Sequence, residues 1–158
     1  MIDRLRKIMV TSVPTLKKDV KIEEAAKIVM EKGRGCAVIT EDGKPAGIVT
    51  ELDFVRNAAS GKKLKEPVYK IMSSPLVTMS PDAKVDEALK IIDTKRFRMY
   101  PVVENGDLVG LVTKRDIVHA FSDNIRFHRN IQNFVLVIFV LFELFVFVLS
   151  KYFSFGAK

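Results

Sequence analysis

Gly47-Ile48-Val49-Thr50-Glu51-Leu52-Asp53 returns 63 positions later as Gly110-Leu111-Val112-Thr113-Lys114-Arg115-Asp116. Each copy is an apolar run that passes through a threonine into an acidic residue three positions on, the signature of a strand feeding a capped helix. Working outward, residues 8–56 and 71–119 align without a gap, and 17 of the 49 positions are identical, from Ile8-Met9 with Ile71-Met72 to Asp53 with Asp116. Average residue usage would give about three identities by chance. An internal repeat of this kind predicts two similar units facing each other across a pseudo-two-fold axis, with equivalent clefts between them.

Within each copy the apolar spacing gives the elements. A short apolar stretch opens the unit, and an acidic residue, Asp19 or Asp82, precedes a helical pattern: Ile22, Ala25, Ala26, Val29 and Met30, then Val85, Ala88, Leu89 and Ile92. Steps of three and four place these side chains on one helix face. Two apolar runs follow, split by Asp42-Gly43 or Asn105-Gly106, the residue pairs of a tight hairpin. A last helix closes each unit over residues 51–59 and 114–121. The expected fold class is therefore α+β: two strand-helix-strand-strand-helix repeats, residues 1–59 and 68–122, joined by a polar linker at 60–67 and packed as one module. Either half alone would bury too little surface to be stable, so the two should fold together.

Composition narrows the function. The net charge of +7 falls to +4 over residues 1–125, where 22 Lys and Arg face 18 Asp and Glu. No run of five or six basic residues occurs, which argues against nucleic-acid binding. Cys36 is the only cysteine, so neither an internal disulfide nor a thiolate metal cluster is expected, and a reducing, cytosolic setting follows for this part. His119 and His128 lack the spacing of a metal pair on one helix face, and no metal site is assigned. No nucleophile, base and orienting group recur together, so the chain reads as a non-enzyme. The charged opening of residues 1–7 lacks the pattern of a signal peptide.

The Thr-x-x-Asp segment carries two compatible readings. It is a capping box, and it is also a helix N-terminus whose hydroxyl and amides suit a phosphate, with an aspartate suited to the paired hydroxyls of a ribose. With Ile8-Met9 and Ile71-Met72 leading the repeats, these residues resemble the CBS-domain family, and the duplication resembles the CBS pair, or Bateman module, over residues 1 to about 122. The resemblance implies a regulatory sensor binding adenosine-containing ligands, AMP, ADP, ATP or S-adenosylmethionine, with no cofactor beyond that regulatory ligand. By the same resemblance Asp53 and Asp116 would hold ribose hydroxyls, and Thr50 and Thr113 would meet phosphate or ribose oxygens. The adenine would lie near Val13 and Val77 and near Cys36, Ala37 and Val38 or Met99, Tyr100 and Pro101. Lys114 and Arg115, which replace Glu51 and Leu52, favour phosphate near Asp116. The two clefts should thus differ. The resemblance also implies a homodimer and an unidentified regulated protein.

After Asn133 the composition changes. Residues 134–149 are apolar except for Glu143, and seven of the eleven phenylalanines lie in residues 134–155. Residues 131–153, reached through a connector at 123–130 and followed by a tail at 154–158, would form a helix of about 34 Å, enough to cross a hydrocarbon core of about 30 Å. A membrane anchor with the ligand-binding module on the cytoplasmic side is expected. Gln132, Glu143 and Ser150, at spacings of 11 and 7, fall on one polar stripe of that helix. The alternative is a soluble interaction or nucleic-acid-binding regulator whose apolar helix forms a subunit interface.

Overall fold

The computed structural model describes residues 4–61, 63–95 and 97–155, with side chains described as far as Phe147. The ends of the first repeat and of the tail, residues 1–3 and 156–158, lie outside the described residues, as does the side chain of Ser150. The first repeat contains β1 (Thr15–Lys17), α1 (Ile22–Lys32), β2 (Cys36–Glu41), β3 (Lys44–Thr50) and α2 (Glu51–Ala59). The second contains α3 (Val85–Thr94), β4 (Met99–Glu104), β5 (Asp107–Thr113) and the start of α4 (Lys114–Phe155). The chain is α+β, as its pattern predicts.

In the first repeat β1 runs parallel to β2, which pairs antiparallel with β3. The hairpin turns form at the expected pairs, with Asp42 and Asn105 at φ of 50° and 52° and glycine following at 77° and 86°. Asx-Gly tolerates this left-handed backbone, which is why those residues occupy it. The second repeat departs from the expected order. Its first strand shrinks to one parallel bridge, Met79 to Val102, in the register of Leu16 and Ile39. Pro81, standing where the first repeat has Lys18, lacks the N–H that would extend the pairing.

The two repeats exchange their leading segments. Val10 pairs with Leu111 and Ser73 with Ile48, each through two backbone hydrogen bonds of 2.8–3.1 Å. All four are counterparts under the 63-residue offset, so the exchange obeys a pseudo-two-fold axis. Leu5 of the first repeat is buried in the core of the second, beside Val85, Ile92, Tyr100 and Ile117, while Val68 of the second is buried in the core of the first, beside Val29, Ile39 and Val49. A third cluster, Cys36, Ile48 and Leu111 with Val13, Leu76 and Met99 against it, lies between the repeats. Neither half owns a complete core, which is why they fold together. Asp82 joins the exchange by pairing with Arg6 at 3.3 Å, and the helix N-caps are Lys21 and Lys84. Asn57, the counterpart of Ala120, is buried with neither polar side-chain atom partnered among the described residues, and nothing in the structure explains it.

Two glycines permit the exchange. A Cβ on Gly47 would lie 2.3 Å from Met72 Sδ, and one on Gly110 would lie 2.9 Å from Met9 Sδ and 3.0 Å from the Val10 carbonyl oxygen. The methionines can shift, but the Val10 carbonyl is tied into the inter-repeat bridge. Gly110→Ala should therefore lower stability by about 1–3 kcal/mol. Urea unfolding monitored by circular dichroism measures this, and an unchanged midpoint would mean that the bridge yields freely.

Beyond the module, α4 has no break. Residues 123–130, expected as a connector, are helical, so the last helix of the second repeat and the apolar segment are one rod. Their sequence holds no glycine or proline, the residues that would end a helix.

Candidate functional site

β3 ends at Thr50 in an extended conformation, and α2 starts at the next residue. The Asp53 carboxylate closes the junction: its Oδ2 accepts from the Thr50 backbone N–H at 2.8 Å and from Thr50 Oγ1 at 2.7 Å. Asp116 repeats this with Thr113 at 2.9 and 2.8 Å. The capping box is thus present in both copies. It fixes each carboxylate through one oxygen, and the other oxygen of Asp53 lies 4.0 Å from Arg56 Nη1.

Asp53 lines a cleft of about 510 Å³ built from both repeats. The first repeat supplies Gly35, Ile48, Thr50, Glu51, Leu52, Val55 and Arg56, and the second supplies Ser73, Phe97, Arg98 and Met99. Gly35, at a φ of 69°, turns the chain so that its carbonyl accepts from Glu51 N–H at 3.1 Å, holding the helix start against the strand. Phe97, 41% exposed, meets Tyr100 at 6.5 Å between ring centroids in a T-shaped pair. The anchored Asp53 carboxylate, the Glu51 carboxylate, an exposed aromatic ring and two guanidinium groups therefore surround one cavity. That set can bind a sugar diol, a flat base and an anion.

A smaller cleft of about 420 Å³ is lined by Arg98, Met99, Thr113, Lys114, Arg115, Val118 and His119. Its lining comes wholly from the second repeat and does not include Asp116. Lys114 N–H donates to the Arg98 carbonyl at 2.8 Å, matching Glu51 and Gly35 in the first repeat. The clefts thus differ in size, lining and charge. Arg98 and Met99 border both.

The other sequence-derived positions lie elsewhere. Cys36 is fully buried in the cluster between the repeats, where burial pushes its thiol up to about 11 and keeps it protonated, and Val13 packs against that cluster. Ala37, Val38 and Pro101 are buried in the strands, away from either cleft. Tyr100 is also buried, and its hydroxyl donates to the carbonyls of Lys95 at 3.3 Å and Phe97 at 3.1 Å. Val77 was expected as the partner of Val13, but it packs into the core of the second repeat, and the true counterpart of Val13 is Leu76. Both faces of β2 are covered from Cys36 to Ile39, so none of its apolar run opens onto either cleft. Ile48, Arg56, Ser73 and Phe97 were missed. Phe97-Arg98, an aromatic next to a cation just before a strand, was a signal available in the sequence; Ser73 reaches the cleft only through the segment exchange.

Comparison with known proteins agrees with this architecture. The CBS domain family matches residues 5–60 and again 68–123. An uncharacterised 17.7 kDa protein of Acidianus ambivalens is 35% identical over 125 residues, covering 78% of this chain and 76% of that one. Several other curated relatives are longer, and the match spans as little as 15% of their length. Among solved structures, the CBS domain pair of protein MJ0100, in complex with 5'-methylthioadenosine and S-adenosyl-L-methionine, superposes with a TM-score of 0.70 at 27% identity, covering 78% of this chain and 99% of that one. The CBS domain of a CBS domain-containing membrane protein from Sphaerobacter thermophilus gives a TM-score of 0.64 at 26% identity over 74% and 86% of the two chains. The family model covers both repeats, and the chain belongs to the CBS-domain family as a tandem pair, a regulatory module.

Proposed function

We propose that the module senses an adenosine-containing ligand in the cleft between its repeats and acts on a partner protein while held at a membrane by α4. The observation that carries the ligand is the meeting of Asp53, Phe97, Arg56 and Arg98 around one cavity. The ribose hydroxyls bind the Asp53 carboxylate, whose orientation the capping box sets. The base lies against Phe97 and Ile48, and the phosphates of AMP, ADP or ATP, or the carboxylate of S-adenosylmethionine, meet Arg98 and Arg56. Adenosine-type ligands held by the MJ0100 pair support the same chemistry here. In the smaller cleft Lys114, Arg115 and Arg98 favour an anion, and Asp116 is the counterpart of Asp53.

The membrane reading rests on α4. Its residues 114–147 include a stretch long and apolar enough to cross a membrane, none of it buried against the module. The module then lies on the cytoplasmic side, where adenine nucleotides are found and where a lone cysteine remains reduced.

Thermal unfolding of the detergent-solubilised protein with AMP, ADP, ATP or S-adenosylmethionine tests the ligand. At about 100 times its dissociation constant the bound ligand should stabilise the protein by roughly 2.7 kcal/mol. Asp53→Asn keeps an oxygen for Thr50 but loses the charge, so it should remove most of that shift with little effect on the unliganded midpoint. No shift with any of the four would defeat the proposal. A variant that melts early yet still responds fully would leave Asp53 as a capping residue only.

A further inference from the structure

The geometry points to self-association of α4 within the bilayer, with a second copy of this chain supplying the partner for Glu143. The inference rests on the membrane reading above and adds an interface to it. From Phe134 to Phe147 the apolar side chains of α4 are 44–65% exposed, so the module covers none of this length. Glu143 sits twelve residues beyond Ile131 and ten before Phe153, which at 1.5 Å per residue is about 18 Å and 15 Å from the two ends, the middle of the hydrocarbon core. It has no hydrogen-bond or ion-pair partner among the described residues. An ionisable side chain at that depth faces protein or a water-filled cavity rather than lipid.

The stripe to which Glu143 belongs has the spacing of a helix-pairing seam. Ile125, Gln132, Leu136, Phe139, Glu143 and Val146 are separated by 7, 4, 3, 4 and 3 residues, a 3.5-residue repeat along one side of α4. The seam stays open at its near end too, where Ile125 and Gln132 border a groove of about 520 Å³ beside the start of α3. Depth selects the occupant. A second copy inserted in the same orientation brings its own Glu143 and Gln132 to the same levels, so the carboxyl groups meet across the seam and the amides pair nearer the surface. Polar positions in an otherwise apolar seam also fix the register, because any slip leaves both carboxyls unpartnered.

Energy transfer between donor- and acceptor-labelled full-length copies, reconstituted in phosphatidylcholine vesicles and diluted with lipid, measures the association. Glu143→Leu should weaken it about 3- to 30-fold, the range for losing an interhelical hydrogen bond of roughly 0.6–2 kcal/mol. Glu143→Gln, which still donates and accepts, should restore most of it. Phe145→Leu, about 200° around the helix, should have no effect. Wild type that stays monomeric in the vesicles, or a Glu143→Leu variant that pairs as tightly as wild type, overturns the interface while leaving the anchor intact. Protein that fails to remain in carbonate-washed vesicles overturns both.

Discussion

Removing residues 131–158 should turn a protein that needs detergent into one that is soluble without it and still binds its ligand. Residues 131–153 hold seventeen Leu, Ile, Val and Phe side chains. At about 0.3–0.6 kcal/mol each they favour the bilayer by about 5–10 kcal/mol, against a penalty of about 3 kcal/mol for one central acid. The balance favours insertion by several kcal/mol, a partition coefficient shifted by orders of magnitude, and deletion removes all of it. The module itself should survive. The α4 side chains that complete its core, Ile117, Ala120 and Phe121, precede the cut, and so does every residue lining the two clefts. Membrane fractionation of the two chains, followed by ligand titration of the shorter one, reads both effects. If carbonate or high salt releases the full-length protein from membranes, or if it forms a defined soluble oligomer without detergent, α4 belongs to a subunit interface and the anchor reading fails.

What could be read from the sequence followed from how local its cause was. The hairpins needed only Asp42-Gly43 and Asn105-Gly106, whose backbone preference is intrinsic, and they formed there. The helix faces needed only three- and four-residue spacing: Ile22, Ala25 and Val29 are buried as expected, whereas Met30 is 75% exposed because the buried stripe is narrower than the apolar one. Thr50 with Asp53 and Thr113 with Asp116 were legible for the same reason, since a capping box closes within four residues. The exchange of leading segments was not. Val10 meets Leu111 and Ser73 meets Ile48 across about a hundred and about twenty-five residues of chain, and no local period encodes such pairings. That exchange places Ser73 at the main cleft, so this part of the cleft wall could not be read from local spacing. The continuity of α4 was obscured differently: residues 123–130 suggested a connector, but with no glycine or proline they continue the helix past the start of α3.

Arg98→Ser should weaken ATP binding by about 10- to 150-fold while changing adenosine binding less than about threefold, and Phe97→Ala should weaken both ligands alike. Arg98 borders both clefts, so its guanidinium can meet phosphate in either one. A hydrogen bond to a charged group contributes about 1.5–3 kcal/mol, and serine supplies neither the charge nor the forked geometry. Adenosine carries no phosphate to miss them. Phe97 offers its exposed ring to the base, which every adenosine ligand shares, so truncating it should cost all of them about 1–3 kcal/mol, the range for a base stacked on an aromatic side chain. Lys114→Glu with Arg115→Leu completes the set. Of the two clefts those residues line the smaller, so the double substitution should remove ATP binding there and leave the Asp53 cleft intact. Isothermal titration of each variant with ATP and with adenosine separates these outcomes. Equal losses for ATP and adenosine in Arg98→Ser would show that the arginine shapes the cleft instead of binding phosphate, and full binding by Phe97→Ala would place the base elsewhere.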